Sequence, residues 1–65
     1  MKVFINNQEV EFAEPMTVSQ AVKDFISSGE EIIIHNGKYL SKEDCNKYFI
    51  SNADRIDIIK FLAGG

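Results

Sequence analysis

The chain has 65 residues, a formal net charge of −3 at pH 7 and one cysteine, which fit one domain with a thin core, a reducing compartment and no internal disulfide. One cysteine and one histidine make a poor set of metal ligands, and seven scattered basic residues argue against a nucleic-acid partner. Because no apolar run approaches the roughly 20 residues of a membrane span, we expect a cytoplasmic protein without membrane contact.

The first predicted element is a β-hairpin. Residues 2–6 and 8–12 each alternate between apolar and polar side chains, which is typical of half-buried strands. The Asn6-Asn7 pair between them is a turn signal, because asparagine tolerates positive φ. The apolar side chains on the shared face are Val3, Ile5, Val10 and Phe12.

The next predicted element is an amphipathic helix over residues 18–26. Thr17 and Gln20 have the spacing of a capping box, in which each side chain accepts a hydrogen bond from the other residue's backbone amide. The apolar residues then recur at helical spacing and form one face. Gly29 suits a left-handed cap after the helix. The members of this face are Val18, Ala21, Val22, Phe25 and Ile26.

The second half of the chain predicts further strands and a short helical turn. A β-branched run indicates a strand, the Asn36-Gly37 dipeptide indicates a tight turn, and Ser41 followed three residues later by an acid indicates a capped helical turn. A third alternating run indicates the last strand of the domain. The predicted ranges are 32–34 and 38–40 for two strands, 41–44 for the helical turn and 55–61 for the last strand.

This order, β-β-α-β-β-β with one main helix, predicts a two-layer α+β domain in which the helix packs on one face of the sheet. Residues 1–61 form the predicted domain, and residues 62–65 form a flexible tail that ends in Gly-Gly. The predicted core consists of Val3, Ile5, Val10, Phe12, Val22, Phe25, Ile26, Ile56 and Ile58.

The element order and the Gly-Gly end resemble the β-grasp, or ubiquitin-like, fold with its mixed sheet. Within that fold the whole chain resembles the ThiS-type sulfur carriers of thiamin thiazole biosynthesis. The resemblance rests on the helix start at 17–22, the strand, Asn-Gly turn and helical segment at 34–44, and the closing strand at 52–59. Ala53 and Cys45 depart from it, since glycine and a bulky apolar residue are commoner at these two positions.

The resemblance implies that the chain is a carrier and not an enzyme. Its reactive group would be the C-terminal carboxylate of Gly65, which is adenylylated and then converted to a thiocarboxylate. Leu62, Ala63 and Gly64 would form the tail that presents Gly65, and glycine suits such a tail because it has no Cβ. The implied partners are an adenylating enzyme that uses ATP, a thiazole synthase and a sulfur donor such as a cysteine desulfurase, with no cofactor bound to the carrier.

A candidate partner surface consists of Phe4, Ile59 and Phe61. Strand alternation places these three side chains on the sheet face opposite the helix. If the first and last strands are adjacent, as the resemblance implies, the three residues form one exposed apolar patch of the kind that often marks an interface. Cover by another segment, such as Tyr48-Phe49, is the alternative.

Several alternatives stay open from the sequence. Cys45 is either a nucleophile, which would need a base nearby, or a small buried hydrophobe, which is the reading we favour. For His35 we predict a surface or turn position. A molybdopterin-type sulfur carrier and a β-grasp interaction module with an inert tail are the alternative functions, since a fold alone does not settle function.

Overall fold

The computed structural model of the chain describes residues 1–27 and 29–60. Within these residues, five strands form one mixed sheet and two short helices pack against one of its faces, so the predicted α+β architecture is confirmed. No helix of the described part is long and apolar enough to cross a membrane. The elements are β1 (Lys2–Ile5), β2 (Gln8–Glu11), α1 (Val18–Ala21), a 3-10 turn (Lys23–Phe25), β3 (Ile32–His35), β4 (Lys38–Leu40), α2 (Lys42–Cys45) and β5 (Asp54–Ile59).

The last strand lies in the centre of the sheet. The strand order is β2-β1-β5-β3-β4. β5 runs parallel to β1 and antiparallel to β3, and the two hairpins are antiparallel. β5 begins at Asp54, one residue before the predicted start. β5 ends at Ile59 and Lys60 is not part of it, so the strand is shorter than predicted, and Phe61, its predicted end, lies outside the described residues.

The α-helix is shorter than the predicted range of 18–26. The capping box of Thr17 and Gln20 is present, but the α-helix ends at Ala21. Val22 has φ −96° and ψ 3°, and its carbonyl accepts from the amide of Phe25 at 2.8 Å, an i to i−3 bond. Valine, aspartate and phenylalanine have lower helix propensity than alanine or leucine. The 3-10 turn that follows α1 still packs the apolar side chain of Phe25 against the core.

Alternation and helical spacing identified the core correctly. Five predicted core residues belong to the buried core cluster, and the other four, Val10, Phe12, Phe25 and Ile26, are partly buried and pack against it. Six further buried residues are absent from the predicted core. Two of them, Val18 and Ala21, lie on the predicted apolar face of the helix. The other four lie in short segments without a long period to reveal a face. They are Ile33, Leu40, Ile50 and Cys45, the last of which the sequence favoured as buried without assigning it to this cluster.

Ala53 occupies a backbone conformation that favours glycine. It precedes β5, and its φ is 72°. Its amide donates to the carbonyl of Lys2 at 2.7 Å, which ties this turn to the start of β1. For an L-residue the left-handed region costs about 1–2 kcal/mol, so the turn holds strain.

We expect Ala53→Gly to stabilise the fold by about 0.5–1 kcal/mol, because glycine removes that strain at a smaller cost in chain entropy. The measurement is thermal unfolding, in which the midpoint should rise by roughly 4 °C. Ala13→Gly is the matched control, since Ala13 is also exposed but has no positive φ. An unchanged or lower midpoint for Ala53→Gly would show that the turn holds no such strain.

Candidate functional site at the end of the central strand

The chain leaves the sheet from its centre and not from an edge. β5 extends past the end of β1, which pairs only with its first residues, up to the pair of Ile5 with Ile56. β3 accompanies β5 to the pair of Ile32 with Ile59. We call residues 57–59 the exit end of β5, because the C-terminal segment continues from there.

Asn6 completes the hydrogen bonding of the exit end on the side of β1. It follows the last residue of β1 and has φ 51°. Its amide donates to the carbonyl of Ile56 at 2.9 Å, and its side-chain Oδ1 accepts from the amide of Ile58 at 2.8 Å. The side chain of Asn6 thereby supplies the hydrogen-bond acceptor that the backbone of a longer β1 would supply.

Asn36 does the same at the start of β5 on the side of β3. It follows the last residue of β3 and also has φ 51°. The amide and Oδ1 of Asn36 bond the carbonyl and amide of Arg55 at 2.7 and 2.8 Å. Its Nδ2 donates to Asp54 Oδ1 at 3.0 Å. The sequence marked both asparagines as turn residues, but their contacts with β5 join distant parts of the chain and leave no local pattern.

Of the predicted surface or turn position for His35, the surface part is wrong for its side chain, whereas the residue does end β3 directly before the Asn36-Gly37 turn. Nε2 of His35 lies 2.7 Å from Oδ2 of Asp54, and the two side chains are only 15% and 10% exposed. The Ser51 amide donates to the same oxygen at 2.7 Å. Burial alone would raise the pKa of Asp54, but the hydrogen bonds from Asn36, His35 and Ser51 outweigh it and lower that pKa. His35 is therefore held by an ionised carboxylate.

Phe4 and Ile59 share the open face of the sheet, but they are not neighbours. Phe4 pairs with Arg55, four residues before Ile59 and thus about 13 Å away along the strand. Arg55 Nε and Asp57 Oδ2, on the same face between them, form an ion pair at 3.3 Å. Phe61 lies outside the described residues. The described part of the predicted patch is therefore divided by charged side chains.

Ile59 instead belongs to an apolar group on β3 and β4. Ile32 is its cross-strand partner, and Ile34 and Tyr39 pair with each other on the same face. Ile59 is 46% exposed and Tyr39 is 63% exposed. We call Ile32, Ile34, Tyr39 and Ile59 the open-face patch. Strand alternation places Ile32 and Ile34 on the face opposite the buried Ile33, and this pattern could have revealed the patch from the sequence.

Tyr48 and Phe49, the alternative cover for the predicted patch, do not lie over its described residues, Phe4 and Ile59. The Tyr48 carbonyl accepts from the amide of Val18 at 2.8 Å, and Phe49 forms a β-bridge with Thr17. Both aromatic residues therefore lie beside the start of α1, in the helical layer. Their side chains are 46% and 59% exposed.

Cys45 is buried at the end of α2, where it lines a groove between the helices and the β3–β4 hairpin. Burial is the larger of two causes that raise the pKa of the thiol, and the negative charge of Asp44 is the smaller. The thiol is therefore protonated at neutral pH and is a weak nucleophile. This environment fits the reading of Cys45 as a small buried hydrophobe.

The sequence model of the ThiS family matches residues 2–65. The chain belongs to the ThiS family. It is thus a ubiquitin-like sulfur carrier, and its family supports a role in thiamin biosynthesis. The family match includes residues 61–65, so the predicted reactive residue Gly65 and its tail, Leu62, Ala63 and Gly64, lie within the family but outside the described residues.

Two solved structures share the fold of this ThiS-family chain. The crystal structure of a thiamine biosynthesis protein (ThiS) from Geobacter metallireducens has a TM-score of 0.81 and 20% identity, with all of both chains covered. An NMR solution structure of a thiamine biosynthesis protein from the same organism has a TM-score of 0.80 and 20% identity, and covers this chain fully and 88% of that chain. This likeness shows the β-grasp fold. No curated protein matches the chain.

We expect Cys45→Ala to retain sulfur transfer and to lose about 1 kcal/mol of stability, because the change leaves a small cavity in the core. The measurements are denaturant unfolding and sulfur incorporation by intact-mass spectrometry. Asn46→Ala, at the exposed neighbouring position, controls for changes at the end of α2. A folded Cys45→Ala protein that incorporates no sulfur would make the thiol a chemical participant.

Proposed function

We propose that this ThiS-family chain carries sulfur on the C-terminal carboxylate of Gly65. A partner enzyme adenylylates the carboxylate with ATP, and sulfur replaces AMP to give a thiocarboxylate, which then donates sulfur for thiazole formation. The observation that carries the proposal is the family match, which runs to Gly65 and includes the terminal Gly-Gly.

The chemistry explains why the terminus needs a partner. A carboxylate is a poor electrophile, because its negative charge is delocalised and its leaving group would be oxide. Reaction with ATP forms the acyl-adenylate and releases pyrophosphate, and AMP is then a good leaving group. Hydrosulfide attacks the acyl carbon, the bond to AMP breaks, and one proton is released as the thiocarboxylate forms. If a persulfide attacks instead, a thiol must reduce the remaining sulfur–sulfur bond.

In this proposal the chain is a co-substrate and not an enzyme. One observation on the described residues supports that role. The Cys45 thiol is buried with a raised pKa, so it is not poised as a nucleophile. The partners by function are an adenylating enzyme, a thiazole synthase and a sulfur donor such as a cysteine desulfurase.

The position of β5 suits presentation of a terminus to a partner. The chain continues from the centre of the sheet, between the turn at Asn6 and the start of β3. Residues 62–65 extend by roughly 13 Å when fully stretched, and the last two have no side chain to fill a narrow channel. A partner that grips the open sheet face can receive the terminus in its nucleotide site.

We expect deletion of Gly65 to abolish adenylylation and thiocarboxylate formation while the melting temperature stays unchanged. The deletion shortens the reach by about 3.3 Å, and a misplacement of 1 Å can cost about a hundredfold in rate. The assay is intact-mass spectrometry after incubation with the adenylating partner, ATP and a sulfur source, in which one oxygen is exchanged for sulfur.

Ala63→Gly is the matched control for this deletion, because it changes the tail and keeps its length. It should be converted normally, whereas a chain extended by one residue after Gly65 should fail. Normal conversion of the deleted or extended chain would refute the proposal that the terminal carboxylate is the reactive group.

A second expectation concerns docking on the adenylating enzyme. The predicted partner residues are Phe4, Ile59 and Phe61, of which Ile59 is the exposed one in the described part. Ile59→Glu should weaken the complex by roughly tenfold or more, because a charge is desolvated at an apolar contact. Phe49→Glu is the control, since it changes an exposed apolar residue of the helical layer. Binding that is unchanged in folded Ile59→Glu would exclude this surface as the interface.

A further inference from the structure

The two sides of β5 are unequal at the exit end. On the side of β3, paired residues continue to Ile59. On the side of β1, the strand pairing ends at Ile56, and the bond from the Ile58 amide to Asn6 Oδ1 at 2.8 Å continues it. Within the described residues, this is the last hydrogen bond on that side before the chain leaves the sheet.

We propose that Asn6 is a positioning residue for sulfur transfer. By holding the Ile58 amide, its side chain fixes the direction in which the C-terminal segment leaves the sheet. The inference rests on the proposed function of Gly65, and it assigns no contact between Asn6 and the reacting atoms.

Asparagine meets two requirements at this position. The turn needs φ 51°, which asparagine, aspartate and glycine adopt at little cost. The Ile58 amide needs an acceptor on a side chain of this length. Glycine meets only the first requirement, and aspartate meets both. Substitution by these two residues therefore separates the turn from the hydrogen bond.

The distance from Ile59 to the terminus makes a small change in direction important. Six residues follow Ile59, so the carboxylate of Gly65 can lie roughly 20 Å from the exit end. When the partner's channel holds the tail extended, a rotation of about 10° at the exit end displaces the terminus by about 3 Å, which exceeds the misplacement that costs about a hundredfold in rate. After Asn6→Gly protein has docked on the adenylating enzyme, its C-terminus reaches the correct position in the nucleotide site less often. This loss lowers kcat more than it raises KM.

The chain offers two matched controls. Asn7 belongs to the same turn and has φ 66°, and among the described residues no hydrogen bond involves its side chain, so Asn7→Gly changes the turn alone. Asn36 makes the equivalent bond at the opposite end of β5, so Asn36→Gly lowers stability without touching the exit end.

The experiment measures kcat and KM for adenylylation of each variant by the partner enzyme, at a temperature where every variant is folded. Asn6→Gly should lose roughly tenfold or more in kcat with KM within about twofold. Asn6→Asp should restore kcat to within about threefold, and Asn7→Gly and Asn36→Gly should keep it. Wild-type kcat in Asn6→Gly, or an equal loss in Asn7→Gly or Asn36→Gly, would overturn the inference.

A second measurement separates failure of the inference from failure of the proposed function. Residual dipolar couplings report the orientation of the amide bonds of Ile58, Ile59 and Lys60 without any partner. They should change in Asn6→Gly and stay as in wild type in Asn6→Asp. If wild-type protein gains no sulfur, the proposed function fails and the role of Asn6 in sulfur transfer fails with it, whereas these couplings still decide whether Asn6 fixes the direction of the exit end. Unchanged couplings in Asn6→Gly would refute it.

Discussion

A strand in the centre of a sheet needs hydrogen-bond partners along both sides, and neither neighbour of β5 is long enough to supply them. Along β5, the pairing with β1 ends at Ile56, and the pairing with β3 starts only there, opposite His35. A buried amide without a partner costs about 1–3 kcal/mol. The side chains of Asn6 and Asn36 accept from the amides of Ile58 and Arg55, which lets the sheet remain short and the chain remain small.

The two ends of β5 are held by different means. At the start, the buried carboxylate of Asp54 accepts from Asn36 and Ser51 and pairs with His35. At the exit end, β3 and the single side chain of Asn6 suffice. The end of β5 with more side-chain hydrogen bonds thus lies away from the C-terminus, and the end with fewer of them leads to it. Under the proposed function, stability and presentation of the terminus are separated along one strand, as is common where a rigid scaffold presents a functional segment.

Local patterns in the sequence predicted most of the fold. The hairpins, the capping box and the core face follow from alternation, turn residues and helical spacing, each of which involves neighbours in the chain. The burial of His35 by Asp54 was missed because it depends on a residue 19 positions away, and the contacts of Asn6 cross the sheet likewise. The helix was predicted too long because periodicity fixes a face and not an end. Of the candidate site, alternation found that Ile59 is exposed, but only the register separates it from Phe4.

The central claim, that the C-terminal carboxylate carries the sulfur, is tested most directly on protein taken from its native host during thiamin starvation. Top-down mass spectrometry gives the intact mass and its fragments. We predict a fraction in which one oxygen is replaced by sulfur, with the mass change confined to fragments that contain Gly65. Oxidation of Met1 or Met16 changes the intact mass similarly, but it would appear in N-terminal fragments. A protein whose terminal fragment always has an ordinary carboxylate would contradict the account.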